Sequence, residues 1–542
     1  MNEVGGSLSI QSTISMKEMK AFKCNRSSLK AGGEKMEKKE VRKIAKDQRR
    51  LEKAERDKKY RRAKGWEMAL YPFGGFAHNS FMFLMTLVSY YAAGIVGLGT
   101  VIASFIITGS RVFDAITDPL IGLVVDKTKG KYGKVRPFIV LAYLTMAIST
   151  LLMYFTNHLV PDGFKLIYFI LLYAIFIIGY TFSTVATSIG NNLLTNDPQQ
   201  RPVFGGLNMI YTMAFYAIAT VYLSFYLTKK YGGFNDVGLF HEMTIATIIL
   251  AGVAYGLAML AIRSKDRVEH FGTGNNGPKI KLKDLWPILK GNRPLQMFTV
   301  AAAADKLSMQ ISGNQIVNVM LFGIIIGNYS MLGVTQGIAM IPNILVLIFG
   351  IRYASKFGSK KGFVVSTWLC IITHGLLFLL LWLGDPTQIR MDNMGLFTIA
   401  FIFLFLVGGA VRYVVSGLVA PMLADIVDYD TYKNDRYAPG IISSIYSLID
   451  KGVSSLAQTF IGLALAMIGF KAAFPDVNTP YSEGVFWVTM FLSIGVMMIA
   501  WIGSLFAMKF YELDKEKMIE IQERINARKK DNKDGNPNTA IS

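Results

Sequence analysis

Asp114 and Asp118 lie four residues apart in a long apolar stretch of the 542-residue chain. On a helix this spacing places both carboxylates on one face, one turn apart. Carboxylates inside a membrane are costly, so the pair indicates a functional site rather than a contribution to stability. Thr117 and, in a later apolar stretch, Thr181 can add hydroxyl oxygens. Oxygen ligands of this kind suit a sodium ion, or a proton that the two carboxylates share.

Other ionisable residues interrupt the apolar stretches, and each must face a cavity or a partner. They are His78, Arg111, Asp305, Lys306, His374, Arg412, Asp450 and Lys451. Two interpretations stay open for the carboxylates of the first half, because Asp114 could instead pair with Arg111 one turn away. We expect Arg412 to line a cavity and to meet an anionic or hydroxylated solute. The two histidines are expected to bond to neighbouring carbonyl groups.

The adjacent pairs Asp305–Lys306 and Asp450–Lys451 also allow two interpretations. Neighbouring residues on a helix point in diverging directions, so the pairs could bond to each other between the seventh and eleventh apolar stretches. Alternatively, Lys451 couples the cation site to a substrate. The aromatic-rich first stretch, Tyr71 to Tyr91, could stack on a sugar or simply face lipid and the interface.

The composition indicates a membrane protein with many spans. Charged residues make up only 17% of the chain and hydrophobic residues 52%, with a mean hydropathy of +0.37, whereas soluble proteins average about 25% charged residues. The net charge of +20 comes largely from basic residues that flank the apolar stretches, which suits anionic lipid headgroups rather than nucleic acid. Cys24 and Cys370 are too far apart in sequence to suggest a disulfide framework or a metal site.

Twelve stretches are long enough to span a membrane as helices, which predicts an all-α polytopic protein. The predicted spans are roughly 68–95, 98–125, 137–157, 165–195, 203–228, 241–263, 294–325, 331–351, 362–383, 395–423, 440–470 and 482–510. Lysine and arginine are concentrated in the loops on one side, so the positive-inside rule places that side and both termini in the cytoplasm. We expect this membrane to be the plasma or inner membrane of a cell.

A long polar loop divides the twelve spans into six and six, the layout of major facilitator transporters. The predicted parts are a basic extension (1–64), an N-terminal bundle (65–263), a central loop (264–293), a C-terminal bundle (294–510) and a tail (511–542). The extension is expected to be a solvated helix or disordered arm, with a membrane-surface or partner-binding role as the alternative. No nucleotide-binding loop, dinucleotide fingerprint or HExxH motif occurs in the sequence, so we expect neither an enzyme nor a cofactor.

Three motifs resemble the glycoside–pentoside–hexuronide:cation symporters, the melibiose permease family. The first runs from DAITDPLIG (114–122) through DKT (126–128) to GKVRP (133–137). The second comprises ADIVDY (424–429) and DKG (450–452), and the third is YELD (511–514). The resemblance covers about residues 66–530. It implies a major facilitator fold and cation-coupled import of a sugar-like solute.

The resemblance also implies roles for individual residues. Asp114, Asp118 and Thr181 match the family's cation site, and Thr117 stands where melibiose permease has an asparagine, which leaves sodium and proton both open. Arg111 matches a cavity arginine, and Lys451 matches a lysine linked to cation and sugar coupling. On the sugar side, Asn79, Thr184 and Ser188 replace two aspartates and a tryptophan, so galactoside transport is not supported.

We therefore expect a monomeric, alternating-access symporter whose partners are a small solute, a monovalent cation and anionic lipids, with no metal beyond a transported sodium. Two loops of opposite charge balance are predicted to form a cytoplasmic latch between the bundles. Its expected residues are Asp126, Lys134, Arg136, Asp425, Asp428 and Arg436. The alternatives are a transporter of an amphiphile such as a lysophospholipid, or a transport-inactive sensor.

Overall fold

The computed structural model describes residues 62–128, 132–197, 200–267, 285–392, 394–434 and 439–533, and every regular element in these ranges is helical. The predictions for the basic extension before Arg62, most of the central loop and latch residue Arg436 lie outside the described residues. The chain forms two compact units. In the smaller unit, Arg62 and Asp197 form an ion pair of 2.8 Å. The larger unit, 63–194 and 201–542, carries both helical halves.

The first half contains six helical segments, α1 to α6. Segment α1 consists of Gly65–Leu70, Phe73–Thr86, Val88–Tyr90 and the π-helix Tyr91–Ile95. The others are α2 (Thr100–Lys127), α3 (Arg136–Thr156), α4 (Asp162–Leu194), α5 (Gln200–Val221, continued by Tyr222–Leu227 and Thr228–Tyr231) and α6 (Val237–Ile262). All six lie within one or a few residues of the predicted bounds, except where a predicted span is broken into shorter pieces.

The second half begins with a short helix, Leu285–Gly291, and contains segments α7 to α12. They are α7 (Arg293–Ser312, Gln315–Asn318 and the π-helix Val319–Ile325), α8 (Ser330–Phe357), α9 (Ser359–Leu383), α10 (Leu396–Gly417 and Val419–Asn434), α11 (Pro439–Met467) and α12 (Glu483–Met490, Phe491–Gly495 and Val496–Lys509). A last helix, α13 (Lys515–Lys533), packs on the final part of α10.

Nine of these segments, within the described ranges, are long and apolar enough to cross a membrane. The three that do not meet this criterion are α1, α7 and α11. Segments α1 and α7 are divided into short helices, and α11 carries Asp450, Lys451 and Gln458 in its middle. The irregular and polar segments are therefore those expected to line a cavity, since broken helices within a membrane are tolerated where they are covered by protein or face water.

The two halves meet along α2 and α11, which pack closely against each other. Gly462 on α11 permits this approach, because a Cβ atom there would lie 2.2 Å from Ser104 Oγ of α2. Farther along the same interface, Thr108 Oγ1 lies 2.7 Å from Thr459 Oγ1. Small and hydroxyl-bearing residues thus bring the backbones of α2 and α11 together, as is common between membrane helices.

The loop between α2 and α3 is fixed by a buried carboxylate from the end of α6. Asp266 is 1% exposed and accepts hydrogen bonds from the backbone N–H groups of Lys134 (2.8 Å), Val135 (3.1 Å) and Arg136 (3.0 Å). Gly133, with a φ of 90°, lies against this carboxylate, and a Cβ atom there would be 2.3 Å from it. Only glycine suits that position, because both the backbone conformation and the space exclude a side chain.

Candidate cation site and central cavity

The amphipathic pattern of α2 decides where its carboxylates point. Val112, Ile116, Leu120 and Val124 recur every four residues and are 51–59% exposed, which is expected of a lipid-facing stripe. Asp114 and Asp118 lie on the opposite face of the same helix. Asp114 is 7% exposed and Asp118 is half-buried. The apolar stripe therefore turns both carboxylates toward the interior of the protein.

The structure brings Lys451 of α11 to these two carboxylates. Its Nζ lies 3.4 Å from Asp114 Oδ2 and forms an ion pair with Asp118 Oδ2. Arg111, the alternative partner for Asp114, makes no ion pair with it in the described structure. The ammonium group of Lys451 therefore pairs with the carboxylates of α2 rather than with Asp305 on α7, and its role in coupling the cation site to a substrate stays a prediction. Asp305 instead accepts a 2.9 Å hydrogen bond from Trp501 Nε1.

The two predicted threonines complete the cluster. Thr181 Oγ1 of α4 lies 3.1 Å from Asp114 Oδ1, and Thr117 Oγ1 lies 3.4 Å from Thr181 Oγ1. Both threonines are buried. Four residues that the sequence placed in one site are thus neighbours, and they offer carboxylate and hydroxyl oxygens of the type that hard cations prefer.

A cavity of about 170 Å³ adjoins the cluster, lined by both carboxylates, Lys451, Arg111 and Thr184 among others. A larger cavity of about 490 Å³ shares Arg111 and Asp114 with it and is lined by residues of both halves. Arg412 of α10 lies on the far wall of this larger cavity. The cation cluster and a solute-sized space are therefore contiguous.

Carboxamide side chains of the second half form a polar wall that the sequence did not single out. They are Gln310, Asn314, Gln315, Asn318, Gln336 and Gln458. Asn314 Nδ2 donates to Gln458 Oε1 (2.8 Å), and Gln458 Nε2 donates to Ser89 Oγ of the first half (2.9 Å). The sequence signal that could have indicated this wall is the concentration of amide residues around the interruption of α7 between Ser312 and Gln315. Amides both donate and accept hydrogen bonds, which suits a hydroxylated solute.

The aromatic wall comes mainly from α4, α5 and α10 rather than from α1. Its members are Phe83, Tyr173, Phe176, Tyr180, Tyr216 and Tyr413. Among the tyrosines predicted on the first span, Tyr71, Tyr90 and Tyr91 are at most 1% exposed. Tyr71 and Tyr91 pack inside the first half, and Tyr90 also contacts Phe474 and the Pro475 carbonyl of the second half. Those three tyrosines therefore contact neither a solute nor lipid in this conformation, because closely packed helices cover them.

The remaining predicted solute residues lie at different places. Thr184 lines the smaller cavity, whereas Asn79 and Ser188 line neither of the two cavities in this conformation. Asn79 Nδ2 lies 3.4 Å from Thr212 Oγ1, and Ser188 is exposed on α4. Their proposed roles stay predictions.

Both membrane histidines have fixed partners. His374 Nδ1 lies 3.0 Å from the Cys370 carbonyl, as predicted. His78 Nδ1 bonds to a hydroxyl, Ser183 Oγ at 3.0 Å, rather than to the expected carbonyl.

The carboxylate of Asp450 on α11 accepts a hydrogen bond from the Tyr446 hydroxyl at 3.3 Å.

Three of the predicted latch residues, Arg136, Asp425 and Asp428, have neighbours in their own halves. Arg136 Nε lies 3.4 Å from Asp266 Oδ2, Asp428 Oδ2 accepts from Gln522 Nε2 of α13 at 2.6 Å, and Asp425 lies beside the same helix. Nothing is described for the side chain of Asp126. The latch stays a prediction.

The halves are held together at the end that carries the sparsely charged loops. Asp476, in the loop between α11 and α12, is buried and accepts hydrogen bonds from Phe234 N (3.0 Å) and Asn235 Nδ2 (3.0 Å) of the first half. At the same end, Thr100 N donates to the Lys471 carbonyl at 2.9 Å and Tyr90 donates to the Pro475 carbonyl at 2.9 Å. These contacts cross between the halves and cover that end of the large cavity.

Comparison with known proteins agrees with this architecture. Residues 70–515 match the MFS/sugar transport protein family. An isoprimeverose transporter of Lactiplantibacillus pentosus is 25% identical over 451 residues, covering 82% of this chain and 88% of the relative. A glucuronide carrier protein homolog of Escherichia coli (strain K12) is 24% identical over 469 residues, covering 83% and 93%.

Among solved structures, the nucleoside transporter NupG superposes with a TM-score of 0.58 at 14% identity, covering 82% of this chain and 99% of that chain. This likeness shows that the two chains share a fold. Since the family match spans most of the chain and includes both halves, this multi-pass membrane protein belongs to the MFS/sugar transport protein family.

Proposed function

We propose that the protein is a cation-coupled symporter that imports a sugar-like solute by alternating access. The observation that carries this proposal is the position of Lys451. This lysine of the second half contacts the two carboxylates of the first half, and the contact lies next to a cavity that residues of both halves line. A cation that binds Asp114 and Asp118 must compete with Lys451, so cation binding changes a contact between the halves. That is the differential interaction that coupling requires.

The solute would occupy the large central cavity. Its carboxamide wall and its tyrosines suit the hydroxyl groups and apolar faces of a sugar-like molecule. The named relatives that carry isoprimeverose or are homologous to a glucuronide carrier support the same class. The polar wall favours a hydroxylated solute over an amphiphile, because a lipid chain offers the amides no hydrogen-bonding groups.

The membrane orientation follows from the basic loops. If these loops face the cytoplasm, as the positive-inside rule predicts, the end held together by Asp476 faces outward. The structure would then represent a state closed to the outside. Import would proceed by opening this end, loading cation and solute, and closing it again.

Uptake into proteoliposomes tests the proposal. Purified protein is reconstituted, and uptake of radiolabelled sugars is measured with an imposed sodium gradient, with an imposed pH gradient, and with neither. We expect one gradient to drive accumulation, and Asp114→Cys or Asp118→Cys to abolish cation stimulation while the protein remains in the membrane. Asp162→Asn is the matched control, since that carboxylate lies exposed at the start of α4. Full cation stimulation in either cysteine variant would refute the site.

A further inference from the structure

Arg412 lines the central cavity with few partners for its guanidinium. Its Nη1 lies 3.4 Å from Ser312 Oγ and 3.6 Å from Met497 Sδ, and its buried Nε has no hydrogen-bond partner. No carboxylate in the described ranges lies within ion-pair distance of it. A guanidinium has five N–H donors, and an arginine inside a membrane normally pairs with an anion or a set of acceptors. Arg412 therefore lacks acceptors that a ligand can supply.

A side chamber of about 130 Å³ lies next to Arg412. It shares Asn318, Gln336 and Tyr413 with the central cavity, so the two spaces adjoin. Two further residues line the chamber, Asn343 (7% exposed) and Ser493 (5% exposed). Asn343 Oδ1 and Ser493 Oγ are both buried without a hydrogen-bond partner. Three buried polar atoms without partners around one chamber leave hydrogen-bonding positions that a ligand can fill.

No acidic neighbour of the chamber in the described ranges lies within ion-pair distance of Arg412. Asp305 is engaged by the Trp501 indole, and His374 is engaged by the Cys370 carbonyl. Across the central cavity, Arg111 is exposed to the same space and makes no ion pair in the described structure. The smaller cavity beside the cation cluster and the central cavity are together lined by three cationic side chains and two carboxylates. The cationic side chains are Arg111, Arg412 and Lys451, and the carboxylates are Asp114 and Asp118. Among the side chains that line these two cavities, positive charge is in excess by one, and a coupling cation bound to Asp114 and Asp118 increases that excess.

We propose that Arg412, Ser493 and Asn343 form a subsite for the oxyanion group of an acidic sugar-like solute. The guanidinium and the Ser493 hydroxyl donate to the oxyanion, and Asn343 Oδ1 accepts from a neighbouring solute hydroxyl. The combination of cationic donors with an unpaired acceptor fits a molecule that carries both an acid and hydroxyl groups. This inference rests on the proposed function and narrows its substrate class from sugars in general to anionic sugars, bearing either a carboxylate or a phosphate.

Ligand binding to the purified full-length protein tests the subsite. Affinities for glucuronate, glucose 6-phosphate and glucose are measured by isothermal titration calorimetry in sodium-containing buffer. We expect one of the two acids to bind at least about tenfold more tightly than glucose, since charge-assisted hydrogen bonds are the stronger ones. Comparison of the two acids identifies the oxyanion. Arg412→Gln should remove the preference for the acid, and Arg412→Lys should retain part of it.

Two further measurements keep the outcomes distinct. The cation-induced thermal shift should be unchanged in Arg412→Gln, which shows that the variant is folded. Lys306→Gln serves as the matched control, because it removes a positive charge that lines none of the three cavities and should leave the preference for the acid intact. Equal affinity for glucose and both acids, no detectable binding of any of the three, or an acid preference that survives Arg412→Gln, overturns the subsite. Gradient-driven uptake of glucose without uptake of either acid would also overturn it while leaving the symporter proposal intact. The absence of gradient-driven uptake for every sugar would instead count against the symporter, whatever the binding data show.

Discussion

Lys451 of α11 forms an ion pair with Asp118 of α2, and the same ammonium group lies 3.4 Å from Asp114 Oδ2. The Lys451 ammonium of the second half thus occupies the position at which the carboxylates of the first half are expected to bind a cation. Because Lys451 and a free cation compete for the same carboxylates, removal of the lysine charge changes cation binding directly.

Lys451→Gln should bind the coupling cation about tenfold more tightly, equivalent to about 1.4 kcal/mol, because the competing ammonium is gone. Solute accumulation should nevertheless fall, since the contact that relates cation occupancy to the position of the halves is lost. Cation titrations followed by thermal shift and parallel uptake assays measure the two effects. Lys306→Gln is the control, because this exposed lysine of α7 lines neither cavity. Weaker cation binding in Lys451→Gln would contradict the competition.

Thr181→Val should weaken cation binding about five- to tenfold, as expected when one hydrogen-bonding oxygen at a charged site is removed without a change in shape. Thr181 Oγ1 lies 3.1 Å from Asp114 Oδ1. Thr184→Val is the matched control one turn along α4, because the Thr184 hydroxyl bonds to the backbone carbonyl of Tyr180 at 3.1 Å. Cation affinity measured by calorimetry should separate the two variants, and equal effects would argue that Thr181 has no special place in the site.

Acid pH should favour the conformation in which the sparsely charged end is closed. Burial raises the pKa of the Asp476 carboxyl above its ordinary value in this conformation. A carboxyl whose pKa is raised in one state binds its proton more tightly there, so protonation stabilises that state and the effect is lost as pH rises through the raised pKa. The neighbouring phenols of Tyr90 and Tyr329 stay neutral in acid.

Distance measurements between spin labels check this dependence. Asp162→Cys and Glu483→Cys place labels at exposed positions on the two halves, in a background in which the native cysteines are replaced. The short-distance population should grow as pH falls, and Asp476→Asn should make it independent of pH. A pH dependence that persists unchanged in Asp476→Asn would assign the effect to another group.

Asp266→Ala should lower the free energy of unfolding by about 2–4 kcal/mol, because three backbone N–H groups of the α2–α3 loop lose their acceptor in a buried position. Thermal unfolding in detergent measures the loss. Asp385→Ala provides the comparison, since that carboxylate is exposed and bonds to Thr387 within its own turn. Similar melting temperatures for the two variants would show that the hydrogen bonds from the α2–α3 loop to Asp266 do not stabilise the fold.

Much of the fold could be predicted from the sequence because membrane spans carry a strong and local signal. The apolar stretches predicted most helix bounds within a few residues, although α8 continues to Phe357 and α10 to Asn434, well beyond the predicted ends. The stripe through Ile116 and Leu120 predicts which face of α2 meets lipid. The spacing of Asp114 and Asp118 placed both carboxylates on the opposite face. The motifs also predicted the family, which the match over residues 70–515 confirms.

The sequence by itself determined the membrane class, the helical architecture and a carboxylate pair on one helix face, since each depends on the periodicity of a single segment. Only the tertiary structure decided the partner of that pair and the composition of the cavity. Lys451 lies more than three hundred residues from Asp118, and its choice of partner depends on the close packing of α2 against α11. The amide wall and the unpaired Arg412 likewise depend on which sides of several helices meet, and no local pattern encodes that.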